Sequence, residues 1–293
     1  MKPQSLARVQ VLAAAFLFSV GGAGIKACAL TSYQVSCFRS GVAAVAVWLL
    51  VREARGLPHL RPFLVGLAYA ATVTLFVLAN KLTTAASTIF LQSTAPLYIL
   101  LLAPWLLGER NRRADFAVMA IAAAGLSVFF LGVERPQQTA PDPLRGDLLA
   151  LLSGLSYALT ILGLRWVSRG ARATEGAAAS AVFTGNVIAC LAVLPWALPV
   201  SHARPLDWAI IAGLGTIQIG LAYKFLTAAF HHVPAFEASL LLLLEPVLNP
   251  VWAWLVQGEH PGGWPLLGGA LILAATATKS WLDTRIPSQI PAT

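Results

Sequence analysis

The sequence predicts an all-α membrane protein, with ten transmembrane helices arranged as two inverted five-helix repeats. Three observations predict it. The chain of 293 residues is 58% hydrophobic and only 11% charged, whereas a soluble domain carries about 25% charged residues. So few charges cannot cover a water-facing surface of this size, and a bilayer removes the need to. Apolar runs also recur along the whole chain, each near the roughly 20 residues that cross a hydrocarbon core about 30 Å thick. Finally, the pattern Pro-x11-Gly-Glu occurs at Pro96 to Glu109 and again at Pro246 to Glu259, 150 positions later.

Taken in order, the expected spans are 7–27, 32–52, 62–80, 84–107, 115–133, 146–167, 176–198, 206–229, 234–257 and 263–283. Lys2 and Arg8 precede the apolar run Val9 to Ile25, a layout that a signal peptide would share. At 17 residues that run exceeds the usual signal core, and similar runs follow it, so it reads as a retained first helix. Period-2 alternation, the mark of a membrane barrel, is absent. The polar stretch Glu134 to Gly146, with three prolines, reads as a linker. The chain then divides into a first repeat (1–134), a linker (135–146), a second repeat (147–284) and a tail (285–293).

The net charge of +8 would suggest nucleic acid in a soluble protein. Here the bases sit between apolar runs, where they act as topology determinants. Numbering the gaps alternately puts 13 Lys and Arg on one side and 6 on the other, with Lys224 inside a span. That bias predicts both termini in the cytoplasm and residence in the cell inner membrane. An odd number of spans per half turns the second copy over relative to the first. Many secondary transporters are built in this way, with the site between the halves near mid-membrane.

Further pairs share the offset of 150: Ala85 with Ala235, Leu91 with Leu241, Ala103 with Ala253, Ala120 with Ala270 and Ala124 with Ala274. The runs Ala79 to Glu109 and Ala235 to Glu259, each with its proline and terminal Gly-Glu, resemble the fourth-helix signature of the drug/metabolite transporter superfamily, EamA type. Phe18 with Lys26 and Tyr157 with Arg165 repeat an aromatic-base spacing found in the first helix of each half of that family. The resemblance implies ten helices, paired EamA repeats and export of metabolites. Overall similarity points within the family to YddG-like exporters of aromatic and other amino acids.

Several residues are candidates for lining a substrate path. Glu245 interrupts the otherwise uncharged run Ala238 to Gly258. A charge at that depth costs about 2.5–3.5 kcal/mol and must face protein or water. It reads as a coupling or amine-binding carboxylate, or else as a structural acid tied to a neighbouring helix. Asn249, four residues on, shares its face. Asn80, Gln92, Thr94 and Tyr98 gather in or near the fourth span, where polar groups glue helices about as often as they bind ligands. Phe18, Gly21, Tyr157 and Tyr223 complete the set; Gly21 serves equally for close helix packing. Lys224 either binds a substrate carboxylate or snorkels to the interface. Arg39 reads as interface-directed, towards a lipid phosphate or helix terminus, and Glu237 as a gate-side charge. Pro96 and Pro246 are candidate hinges or static kinks.

Enzyme readings fare poorly. H-E-x-x-H, Walker A and G-x-S-x-G motifs are all absent. Adjacent His231 and His232 make a poor metal pair, and the three cysteines offer neither metal spacing nor a disulfide framework. No cofactor, metal or nucleic acid is expected. The expected partners are the bilayer and a small-molecule substrate such as an amino acid. The expected function is secondary export of small metabolites, aromatic amino acids among them. A nucleotide-sugar or phosphorylated-metabolite exchanger, or an intramembrane enzyme, are the alternatives.

Overall fold

The computed structural model describes residues 3–55, 60–108, 113–131, 136–167, 176–230 and 241–285. Glu109, Glu237, His231 and His232, named above, lie outside the described residues. The helices are α1 (Pro3–Ser19), α2 (Gly21–Ala27), α3 (Ser32–Leu50), α4 (Leu60–Leu82), α5 (Ala85–Gln92), α6 (Ala95–Leu107), α7 (Arg113–Phe129), α8 (Pro143–Val167), α9 (Ala177–Ala197), α10 (Pro205–Gly213), α11 (Ala222–Phe230), α12 (Leu244–Gln257) and α13 (Gly263–Arg285). A π-helical segment, Leu214–Leu221, joins α10 to α11. Among the described residues there is no strand, only an isolated bridge between Gln137 and Ala140.

Seven segments are long and apolar enough to cross a membrane: Ser5–Ala27, Ser32–Leu50, Leu60–Leu82, Ala85–Leu107, Pro143–Leu164, Ala177–Ala197 and Pro205–Leu226. The count of ten read from the sequence is therefore not reached among the described residues. The 17 residues of α7 fall just short. The 14 of α12 begin only after the undescribed 231–240. The apolar part of α13 is limited to Gly263–Thr278.

Local chemistry sets the boundaries. Thr31 and Gln34 form a capping box at the start of α3, and Thr84 accepts the Ser87 amide to start α5. Asp142 Oδ1 accepts the Arg145 amide at 3.3 Å, and Pro143 follows at the first helical position, where a missing amide costs nothing. Gly108 and Gly258 end α6 and α12 with φ of 68° and 65°, the left-handed caps that glycine takes without a Cβ penalty. These two caps are 150 residues apart, and α7 and α13 begin 150 residues apart as well. The offset seen in the sequence is thus also present in the backbone.

The packing of the helices has a matching regularity. α1 packs on α11 as α4 packs on α8; α1 and α2 meet α12 as α6 and α5 meet α8; α3 meets the π segment as α4 meets α9. The pairs α3–α9, α5–α12 and α7–α13 join like to like. Exchanging the two halves therefore maps this contact set onto itself. At the α7–α13 crossing the backbones nearly touch: a Cβ on Gly125 would lie 2.9 Å from the Gly268 carbonyl oxygen, and one on Gly268 2.6 Å from that of Gly125. The outer surface is apolar, with Trp105, Leu60, Leu131, Trp196, Leu191 and Val256 all exposed. A belt of that kind suits lipid and would aggregate in water.

Candidate functional site

Four spans are interrupted. α1 and α2 are separated at Val20, α5 and α6 at Ser93-Thr94, the residues ahead of α12 by a turn at Leu243, and α10 and α11 by the π segment. Discontinuous helices and π turns inside a membrane mark places where backbone or side chains are freed for other partners. Both Pro96 and Pro246 sit in the first turn of the helix after a break.

The interrupted elements and α8 bring four expected residues together. Phe18 meets Tyr223 edge to face, with ring centroids 5.4 Å apart. Tyr157 and Tyr223 both lie within electrostatic range of Glu245. The Glu245 carboxylate is half-buried and has no ion-pair partner among the described residues. Tyr157 is 41% exposed although Glu245 and Tyr69, on two other helices, lie close to it.

Two residues that the sequence reading did not name, Tyr69 and Asn186, join this group, and so does Arg39, which it placed elsewhere. Tyr69 on α4 meets the Tyr223 ring at 6.2 Å, shares a hydrogen bond with its hydroxyl and accepts one from Asn186 Nδ2 at 3.3 Å. Arg39 on α3 is only 2% exposed, within electrostatic range of Tyr69 and Tyr223. It donates one long hydrogen bond, 3.4 Å, to the Val73 carbonyl, and its Nε has no acceptor. This corrects the interface reading of Arg39: the side chain turns inward and reaches no helix end. A mid-span tyrosine and a base a few residues inside a span were the available signals. Neither tells which way the side chain points.

The other expected residues lie elsewhere. Lys224, next to Tyr223, is exposed. Gln92 donates to Ser153 Oγ at 2.8 Å, and Thr94 bonds the Leu91 carbonyl at 2.6 Å, with Tyr98 beside it. Gln92 ties the α5–α6 break to α8, whereas Thr94 and Tyr98 bond within their own span. Asn80 is fully buried and donates within its own helix to the Phe76 carbonyl. Asn249 is fully buried, with neither amide atom hydrogen-bonded. A Cβ on Gly22 would lie 2.4 Å from its Oδ1, so this glycine makes room for the amide. Gly21 is held against Gln218 of the π segment in the same manner. A narrow crevice between α6, α7 and α13, lined by Thr94, Leu97, Met119 and Thr276 among others, has room for little more than a water.

A buried polar plug ties α2 to the start of α5 and to the residues after α12. Lys26 Nζ lies 3.0 Å from Glu259 Oε1, both side chains at most 4% exposed. The same ammonium donates to the carbonyls of Thr83 and Thr139. Glu259 Oε2 accepts the Ala85 amide at 2.7 Å, in the first turn of α5, where a carboxylate is favoured. Trp252 donates to Ser19 Oγ and Gln257 to the Ala23 carbonyl. The first span is thus fastened to α12 along its length.

The fold and these buried polar groups define a multi-pass membrane protein with a cluster of charged and aromatic side chains between its helices. Residues 144–280 match the model of the EamA-like transporter family. The pseudopaline exporter CntI of Pseudomonas aeruginosa is 26% identical over 272 residues, covering 89% of this chain and 91% of its own. An uncharacterised transporter of Archaeoglobus fulgidus is 27% identical over 69% of this chain and 70% of its own. A solved crystal structure aligns with 97% of this chain and 99% of its own at a TM-score of 0.63; its 19% identity makes that a likeness of fold alone. The second half of the chain thus carries an EamA-like transporter domain, and the chain as a whole is similar to transporters.

Proposed function

We propose that the protein exports small zwitterionic metabolites, amino acids including aromatic ones, by alternating access between two inverted five-helix halves. The observation that carries this reading is the Glu245 carboxylate. It is half-buried, lacks an ion-pair partner among the described residues, and faces Tyr157 and Tyr223. A carboxylate kept at such a depth is costly unless it meets a cation, and a substrate ammonium is such a cation. The aromatic walls add apolar contact and cation–π attraction without strict selectivity.

The two-fold contact pattern supports the inverted arrangement. With five spans per half, the 13-to-6 bias of Lys and Arg supports an external Lys26–Glu259 plug and cytoplasmic termini. Two similar halves can exchange roles, opening one end as the other closes. A buried arginine also raises the nucleotide-sugar reading. A polyanion requires several converging bases, however, and Arg39 stands alone beside Tyr69 and Tyr223. The test is growth of cells carrying the gene on toxic amino-acid analogues. Expressing cells should resist the analogue and excrete it, and cells with Glu245→Gln, at equal protein level, should match the empty vector. Equal protection by Glu245→Gln, or no protection by the wild type, would remove this reading.

A further inference from the structure

We infer that Arg39 binds the substrate's carboxylate, as one end of a two-ended site whose other end is Glu245. The ligand class is then an amino-carboxylate whose two charges are set several bonds apart. The inference rests on the reading of Glu245 as the amine-binding group.

A buried guanidinium is costly in proportion to what it lacks. Arg39 is 2% exposed, has no carboxylate partner among the described residues, and leaves Nε without an acceptor. Its only hydrogen bond, to Val73, is long. A structural arginine would be tied by a carboxylate or by several carbonyls, because removing one partner of a buried pair is among the most destabilising changes known. Here the tyrosines Tyr69 and Tyr223 lie beside it, and Tyr223 also lies beside Glu245. The planar fork is suited to bidentate capture of a carboxylate.

Position sets the ligand's length. The Lys26–Glu259 contact holds the ends of α2 and α12 at one level. From that level, at about 1.5 Å per residue, Arg39 is about 10 Å down α3 and Glu245 about 20 Å down α12. The guanidinium reaches towards Val73, which brings the difference in depth to about 5–10 Å along the membrane normal. An α-amino acid, with a single carbon between its charges, meets Glu245 without reaching Arg39; the chain of an ω-amino acid or a dipeptide meets both and binds more tightly.

The test is thermal unfolding of purified protein in detergent against increasing ligand, which yields a dissociation constant for each ligand. The probes run from alanine through 5-aminovalerate and 6-aminohexanoate to alanylalanine, each paired with its uncharged carboxamide. Wild-type protein should bind the long acids at least tenfold more tightly than their carboxamides, and more tightly than alanine. Arg39→Gln should lose about ten- to a hundredfold of affinity for the acids and treat acid and carboxamide alike. Arg39→Lys should keep part of the preference. Ligand-free Arg39→Gln should melt no lower than wild type, since it removes an uncompensated charge; a lower melting point assigns Arg39 to structure. A wild type that binds acid and carboxamide equally, or that binds no carboxylate, overturns the inference, as does an Arg39→Gln protein that keeps the preference. Equal, Glu245-dependent binding of acid and carboxamide would overturn it while leaving the proposed export of amines standing. Arg39-dependent binding of carboxylates that carry no amine, with no amino acid exported, would do the reverse.

Discussion

At the scale of single residues, the two kinds of buried charge differ in what balances them. Lys26 and Glu259 balance each other, with two carbonyls and the Ala85 amide taking the remaining donors and acceptor. Glu245 and Arg39 are held apart. Breaking the first pair by Lys26→Met or Glu259→Gln alone should cost about 3–5 kcal/mol, since each leaves a buried charge unpaired. The double replacement should recover most of that loss. Thermal unfolding of the purified variants measures it, and single variants as stable as the double would show that the pair is not closed. The sequence made Glu245 visible because an acid in a long uncharged run has no bland surroundings. It hid Arg39 and Tyr69 because their meaning depends on helix rotation, which composition and spacing leave open near a span end. Glu259 was read only as part of a repeated motif; its partner Lys26 lies 233 positions away and is joined to it by the packing of both halves.

At the scale of elements, the repeated proline was legible and its effect is specific. Proline lacks an amide and clashes with the carbonyl four residues back, so a continuous helix cannot pass it cheaply. The chain instead stops and restarts, leaving Pro96 and Pro246 in the first turns of α6 and α12. The π segment was not legible, since Leu214–Leu221 carries no proline and keeps its apolar pattern. The packing of α3 on α9 joins the two halves and has a built-in reporter. Cys37 Sγ and Cys190 Sγ are 3.6 Å apart as free thiols. A membrane-permeant oxidant should therefore join the two tryptic fragments that contain them, detected by mass spectrometry and reversed by reductant. Failure to form this link under conditions that oxidise other thiols would contradict the α3–α9 contact.

At the scale of the whole molecule, the membrane class followed from the scarcity of charge, and the 150-residue offset of the sequence recurs in the caps of α6 and α12. The count of spans was the least legible feature. Hydropathy finds runs, whereas α7 and the apolar part of α13 fall short of a full span and α12 starts after a turn. The site was partly legible for a related reason: Phe18, Tyr223 and Glu245 come from interrupted spans, where an unusual residue stands out, whereas Tyr69, Tyr157 and Arg39 come from continuous ones. The central claim is that a small amino-carboxylate crosses through the space between the halves by contact with Glu245. Counterflow in proteoliposomes tests it most directly, with unlabelled amino acid inside and a trace of the labelled form outside. The account predicts a transient accumulation of label by wild-type protein, reduced to under about a tenth by Glu245→Gln at equal reconstitution, a loss in line with that of a charge-assisted contact. Wild-type accumulation preserved in Glu245→Gln, or no accumulation of any amino acid while a nucleotide sugar or phosphorylated metabolite is exchanged, would contradict it.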